Sequence, residues 1–414
     1  MGSGETAPTM VRPHREVFEH TPEGPAVFLD TPFAFQTNRL DLVARARRYF
    51  AESLDREIAV VHWPPLADEP FSTDRALALL DGATWVFAGP GSPTYALRCW
   101  LGSPIPGAVE SVARRGGTVV LGSAGAVTAG AYALPVYELY KAGAEPYWEQ
   151  GLDLLGRLAD LCAAVVPHYD NREGGQHDTR YCYVGEARLA ALEEQLPADV
   201  GVLGVDEHTA VVVDTSAGSV TVRGSGRMSL RHRARTTVVP AGEVLALDHV
   251  REALAGRVAG ARHLRQDPSA DRVDAPETTA EATATSLRDE TERARRAFDA
   301  AAASRDADGC VAAVLGLEEA LARWGTDMRQ SGESGEARRA LRALVVRLGS
   351  LADAGLADPA EVVRPYVDLL LALRDRARAG HDFETADEVR DRLSEAGIEV
   401  RDSGGGSGWL LRPG

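Results

Sequence analysis

Between Ala26 and about residue 250, short apolar β-like runs alternate with helical stretches, and that alternation leaves few architectures open. The runs are Ala26–Asp30, Glu57–His62, Ala83–Ala88, Gly117–Gly122 and Leu161–Val166. Between the first two lies Asn38–Leu54, with Leu40, Val43, Ala46, Tyr49 and Phe50 at helical spacing. Runs that are apolar throughout, separated by helices, predict an α/β fold: a mostly parallel sheet flanked by helices on both faces. Ala210–Asp214, Val220–Arg223 and Arg235–Val239 are shorter and predict antiparallel additions near one edge.

The pattern breaks near Gln266–Thr285, where Asp, Pro, Ala, Thr and Glu dominate and large apolar residues are few. Five helical stretches follow: Leu287–Ser304, Asp308–Trp324, Ala337–Ala354, Pro359–Ala379 and Phe383–Ala396. A break at Gln330–Gly335 separates the second from the third. The expected organisation is an α/β domain over 1–262, a linker over 263–285 and an all-α helical bundle over 286–414. A chain of 414 residues is long enough for two cores.

A formal charge of −16 argues against bulk electrostatic binding of nucleic acid. The cysteines, Cys99, Cys162, Cys182 and Cys310, have neither disulfide-framework nor zinc spacing. No metal and no cofactor are expected. No apolar run reaches the ~18 residues that span a bilayer, and the N-terminus lacks the basic and apolar regions of a secretory signal. The expected setting is cytoplasmic, without a membrane partner.

The sharpest local feature is Val119-Val-Leu-Gly-Ser-Ala-Gly-Ala126, a strand running into a turn of small residues and then a helix. Small neighbours permit the strained turn that lifts a serine hydroxyl off a strand end, which makes Ser123 a candidate nucleophile. The N–H of Ala124 is then a natural oxyanion donor, and Gly91, in the loop Ala88-Gly-Pro-Gly-Ser-Pro93, a second. Serine needs a base. His168 follows a strand ending at the same carboxyl edge of the sheet, where such folds place ligands. Glu138, Asp170 and Glu207 remain open as the carboxylate that orients it.

These residues resemble the dipeptidase E and cyanophycinase family of serine peptidases, with the class I glutamine amidotransferase-like fold. The resemblance is carried by Gly122-Ser-Ala-Gly-Ala126, Gly151-Leu-Asp-Leu-Leu155, Val166-Pro-His-Tyr-Asp170 and Gly204-Val-Asp-Glu-His-Thr-Ala210, with the glycine-rich loop at Gly89–Gly91. It covers most of residues 1 to 240. It implies Ser123 as nucleophile and His168 as base, and it favours Glu138 as the acidic member. It also puts Arg172 where some relatives hold a substrate carboxylate. Gly2-Ser-Gly-Glu5 then reads as the glycine-rich exit of a first strand. The loop at Gly89–Pro93 differs from the family's Gly-Gly-Asn or Gly-Gly-Asp form, so no particular substrate carries over.

The C-terminal part resembles something different. Pro365-Tyr-Val-Asp-Leu-Leu-Leu-Ala-Leu-Arg374, His381–Leu393, Gly397-Ile-Glu-Val-Arg-Asp402 and Trp409 look like the C-terminal helical region of cysteinyl-tRNA synthetases. No H-I-G-H-like or K-M-S-K-S-like stretch is present, so the chain is not expected to charge tRNA. Phe383, Ala386, Val389 and Leu393 form an apolar stripe. Arg374, Arg376, Arg378, Arg390 and Arg392 lie near Asp375, Asp382, Asp387 and Asp391. Residues 281–414 hold 19 Arg against 25 Asp plus Glu, a net of −6. That balance favours a solvated, ion-paired face over an RNA-binding one.

The resulting expectation is a serine hydrolase acting on a peptide or amide substrate through a Ser-His-acid triad. Two alternatives stand beside it: a tRNA-associated protein acting on an aminoacyl or peptidyl group, with tRNA held by the C-terminal domain, and an inactive scaffold. A homo-oligomer is left open.

Overall fold

The computed structural model describes residues 1–66, 71–174, 176–257, 286–327, 332–356, 359–403 and 406–412. The expected linker at 263–285 lies outside the described residues. The chain forms two compact units, one of Met1–Arg293 with Gly316–Arg338, the other of Ala294–Leu315 with Arg339–Gly414. The units therefore do not divide at residue 286, since part of the helical chain clusters with the α/β core.

In the first unit β1 (Ala26–Leu29), β2 (Ile58–Val61), β3 (Trp85–Ala88) and β4 (Thr118–Leu121) form a parallel sheet in the order β2-β1-β3-β4. Alternate residues explain why both faces are covered. Val27, Leu29, Val86 and Ala88 join one core layer with Leu80, Trp100 and Leu139. Phe28, Trp85 and Phe87 join the opposite layer with Tyr49 and Phe50 of the helix Arg39–Leu54.

A second sheet contains β5 (Tyr132–Ala133), β6 (Glu149–Gln150), β7 (Ala163–Val166), β8 (Gly201–Val205), β11 (Arg227–His232) and β12 (Arg235–Pro240). Its order is β12-β11-β8-β7-β5-β6, with β7 parallel to both β5 and β8. The third sheet, β13-β10-β9, is antiparallel and built from β9 (Thr209–Asp214), β10 (Ser219–Gly224) and β13 (Val244–Ala246). So β12 is the expected antiparallel edge, whereas β9 and β10 leave for a sheet of their own. Val220 and Val222 of β10 and Leu245 of β13 close a core over Leu203, Val205 and Leu230.

The Gly2–Glu5 segment is not a strand exit. Residues 1–3 run between the two larger sheets: Ser123 N donates to the Met1 carbonyl, His168 N to the Gly2 carbonyl, and Gly2 N to the Thr209 carbonyl. A Cβ at Gly2 would lie 2.0 Å from the Asp206 carbonyl oxygen, so only glycine passes there.

The helical region contains Leu287–Ala303, Ala307–Arg323, Gly332–Leu356, Pro359–Ala379 and Phe383–Glu395. The expected break at Gln330–Gly335 is displaced: Gly332–Gly335 already belong to a helix, whose first turn carries Glu333. Gln330 and Ser331 lie outside the described residues. The region is not purely helical, because Ile398–Ser403 (β14) and Gly406–Leu411 (β15) pair as an antiparallel hairpin. Val367, Leu371, Leu393 and Ile398 form its small core. Arg374, 3 % exposed, grips Asp402 of β14 with two bonds of 2.7 and 2.8 Å. No described helix is long and apolar enough to cross a membrane.

Candidate active site

β4 ends at Leu121, and the helix Ala124–Val127 starts two residues beyond Gly122. Ser123 makes the turn with φ 46° and ψ −114°, a conformation that L-residues adopt only under constraint. The constraint is visible in the backbone. Gly122 N donates to the Ala88 carbonyl, Gly125 N to the Gly89 carbonyl and Val127 N to the Ser123 carbonyl. A side chain at Gly125 would come within 2.6 Å of the Ala88 carbonyl oxygen, so the turn can press onto β3 only without one.

His168, 6 % exposed, follows β7 and also has a positive φ, 47°. Its Nε2 lies 2.9 Å from Ser123 Oγ, and its Nδ1 lies 2.7 Å from Glu207 Oε1. An ionised carboxylate only accepts, so Nδ1 carries the proton and Nε2 is left to accept from the serine hydroxyl. Glu207 sits between β8 and β9, where Asn171 Nδ2 donates to the same Oε1 at 3.0 Å. Its backbone N–H donates to Asp170 Oδ1 at 2.8 Å.

This arrangement corrects the expected acid. Glu138 accepts from the Thr94 hydroxyl at 3.0 Å, and it is Glu207 that the imidazole meets. Asp170, the third candidate, holds the Glu207 backbone. Burial and the nearby Asp170 push the neighbouring Asp206 carboxyl up to about 6.

Ser123, Ala124, Gly91 and His168 share the wall of one cavity of about 500 Å³. Among the described residues neither the Ala124 nor the Gly91 N–H has a backbone acceptor. Gly91, at φ 143°, could carry no side chain: a Cβ would lie 2.0 Å from the Pro32 carbonyl oxygen. Arg172 is exposed and does not line the cavity; the charged residues that do are Lys141 and Glu173. Lys141 Nζ stands over the Tyr137 ring at 5.0 Å, and the Tyr183 hydroxyl donates to Glu173 Oε2 at 3.0 Å.

Cys182 and Tyr183, also in the lining, belong to an unusual turn. Tyr181, Cys182 and Tyr183 are all left-handed, with φ of 59°, 58° and 70°. Tyr181 N donates to the Tyr169 carbonyl and Cys182 N to the His168 carbonyl, which folds the turn against His168. Tyr183 then tilts over the His168 ring at 5.7 Å between centroids. The sequence carries no period or motif for three successive left-handed residues, and this wall was not foreseen.

A family model described as the cysteinyl-tRNA ligase anticodon binding domain matches residues 363–409. Curated relatives are cysteine–tRNA ligases. That of Beutenbergia cavernae is 37 % identical over 117 residues, 26 % of this chain and 25 % of that protein. That of Chlorobaculum tepidum is 42 % identical over 52 residues, 13 % of this chain and 11 % of that protein. The chain thus spans a quarter or less of the length of these relatives.

Among solved structures, a peptidase from an acI-B1 Actinobacterium aligns with a TM-score of 0.48 and 18 % identity, over 59 % of this chain and 94 % of that one. A structure titled as a putative peptidase E protein from Listeria monocytogenes aligns with a TM-score of 0.36 and 12 % identity, over 58 % and 96 %.

Proposed function

We propose that the α/β unit is a serine hydrolase that cleaves a peptide or related amide bond, with Ser123 as nucleophile, His168 as general base and Glu207 as the orienting acid. The observation that carries this is the continuous run from Ser123 Oγ to His168 and on to Glu207, starting from a strained turn that faces a cavity. Ser123 Oγ attacks the carbonyl carbon while its proton passes to His168 Nε2. The oxyanion forms against the N–H groups of Ala124 and Gly91. His168 returns the proton to the leaving amine as the C–N bond breaks, leaving an acyl ester on Ser123. Water, deprotonated by the same His168, hydrolyses that ester and regenerates the hydroxyl. The test is a fluorophosphonate probe: native protein is labelled at Ser123, and Ser123→Ala or denatured protein is not. Equal labelling of Ser123→Ala would remove the proposal.

A second reading has one observation in its favour, the match of residues 363–409 to an anticodon-binding family. In it the substrate acyl group is carried by tRNA. Against it stands ion pairing within the helical unit: Arg374 and Arg378 both meet Asp402, and Arg392 meets Glu395. Filter binding of tRNA across a salt series separates the readings, since phosphate contacts give an affinity that falls steeply with salt. No retention at low salt removes the second.

A further inference from the structure

Glu207 is followed by His208, whose own φ of 54° turns the chain so that the two side chains diverge. His208 is held from several sides. Its backbone N–H donates to the Ser3 carbonyl, and its carbonyl accepts from Ser225 N. Thr9 Oγ1 lies 2.9 Å from its Nδ1, and a Cβ on Gly4 would fall 2.3 Å from that same nitrogen. A further ring contact comes from far along the chain: Trp324 meets the imidazole at 5.6 Å between centroids and 87° between planes. Trp324 opens the short turn Trp324–Thr326, which packs against the helix Arg39–Leu54. Three residues on, Asp327, 8 % exposed, accepts from the hydroxyl of the fully buried Thr6 at 3.3 Å. That bond anchors the same N-terminal stretch, residues 4–9, that walls His208. Residues 316–338 belong to the compact unit that contains the site.

We propose that Trp324, supported by Asp327, is a positioning residue of the hydrolytic site: it clamps His208, and through the His208 backbone it holds the Glu207 carboxylate against His168. This rests on the reading of Ser123, His168 and Glu207 as a hydrolytic triad. The consequence is that activity of the α/β unit depends on a turn supplied by the helical part of the chain. Any binding event that withdraws Trp324 would loosen Glu207 and silence Ser123 while leaving the substrate cavity intact.

The test uses the full-length protein and two readouts. The first is the downfield proton resonance of His168 Nδ1, which reports the bond to Glu207 whether or not the protein hydrolyses anything. The second is the rate of Ser123 labelling, with kcat and KM once a substrate is found. Trp324→Ala is expected to broaden or abolish the resonance and slow labelling about tenfold or more, with kcat falling and KM unchanged. Trp324→Phe, which keeps a ring against His208, is expected to restore both. Should Trp324→Ala unfold, Trp324→Leu keeps bulk without a ring and takes its place against Phe. A folded, ringless variant with unchanged resonance and labelling overturns the proposal, as does a Phe variant as impaired as the ringless one. If instead the resonance responds but the native protein shows no Ser123-dependent labelling, the hydrolase reading falls and the clamp on Glu207 stands.

Discussion

Left-handed backbone means different things in the two compact units. In the α/β unit four left-handed residues, Ser123, His168, Cys182 and Tyr183, line one cavity, with Tyr181 adjoining them in sequence and His208 next to Glu207, while others such as Asp55 and Asp160 close helices. Among the described residues of the helical unit the positive-φ residues other than glycine are Arg305 and His381, each just past the end of a helix. A single left-handed residue closes a helix at little cost. Four around one cavity, at ~1–3 kcal/mol each, persist only where surrounding contacts overdetermine them. In the α/β unit tertiary contacts hold strained backbone around a cavity, whereas in the helical unit left-handed residues only reverse the chain between packed elements.

Four measurements put that contrast to the test. The largest effect belongs to Ser123→Ala, which should lower hydrolysis by about 10⁴-fold or more while the unfolding temperature stays nearly unchanged. Next, Glu207→Gln should lower kcat by about 10³-fold, because an amide no longer fixes the Nδ1–H tautomer. Glu138→Gln should leave the rate near that of the wild type, since Glu138 bonds Thr94 and not His168. If the two glutamates exchange these outcomes, the observed geometry is not the working one.

The third measurement concerns His14, buried among Tyr49, Phe50, Trp85 and Phe87 and bonded through Nε2 to the Glu5 carbonyl. Burial lowers its pKa to about 4, against an unfolded value of 6.5. Only the unfolded state takes up this proton between those values, so the stability tied to His14 is complete above pH 6.5 and is lost as pH falls toward 4. The loss is on the order of 3 kcal/mol. Asp206, raised to about 6, acts with the opposite sign: its stability falls as pH rises from 3.8 to 6. Chemical denaturation of wild type and His14→Gln across pH 4–7 should therefore give a difference that shrinks toward acid. A constant difference would mean that His14 takes up its proton in the fold as readily as in the unfolded chain.

The smallest effect is placed in the helical unit. Arg374→Leu removes the grip on Asp402 and should destabilise that unit by roughly 2 kcal/mol, less than a fully buried pair because Asp402 is part-exposed. Hydrogen exchange should quicken in Pro359–Ala379 and in the hairpin, with Ser123 labelling unaffected. A labelling rate that follows Arg374 would show that the two kinds of architecture are not independent.

Much of this protein was legible in its sequence. The five apolar runs became β1–β4 and β7 within one or two residues, because a strand covered on both faces must be apolar throughout. The helical stretches were equally plain from their stripes. β14 was masked by the glycine-rich run that follows it, although Ile398 and Val400 alternate with Glu399 and Arg401 in strand fashion. Ser123 could be singled out because strand, small-residue turn and helix are contiguous, and His168 because its strand ends at the same edge.

What the sequence alone determined was the α/β alternation, the pairing of Ser123 with His168, and the change of character toward the C-terminus. The tertiary structure decided which carboxylate faces the imidazole, and chose Glu207 because β8 and β9 bring it beside β7, across 39 residues of chain. It also put Lys141 rather than Arg172 on the cavity wall and brought Trp324 against His208. These contacts join residues far apart in the chain. Local propensity and periodicity act over a few turns of backbone and carry no record of them; only the closing of the sheets and the packing of their cores bring such partners into reach.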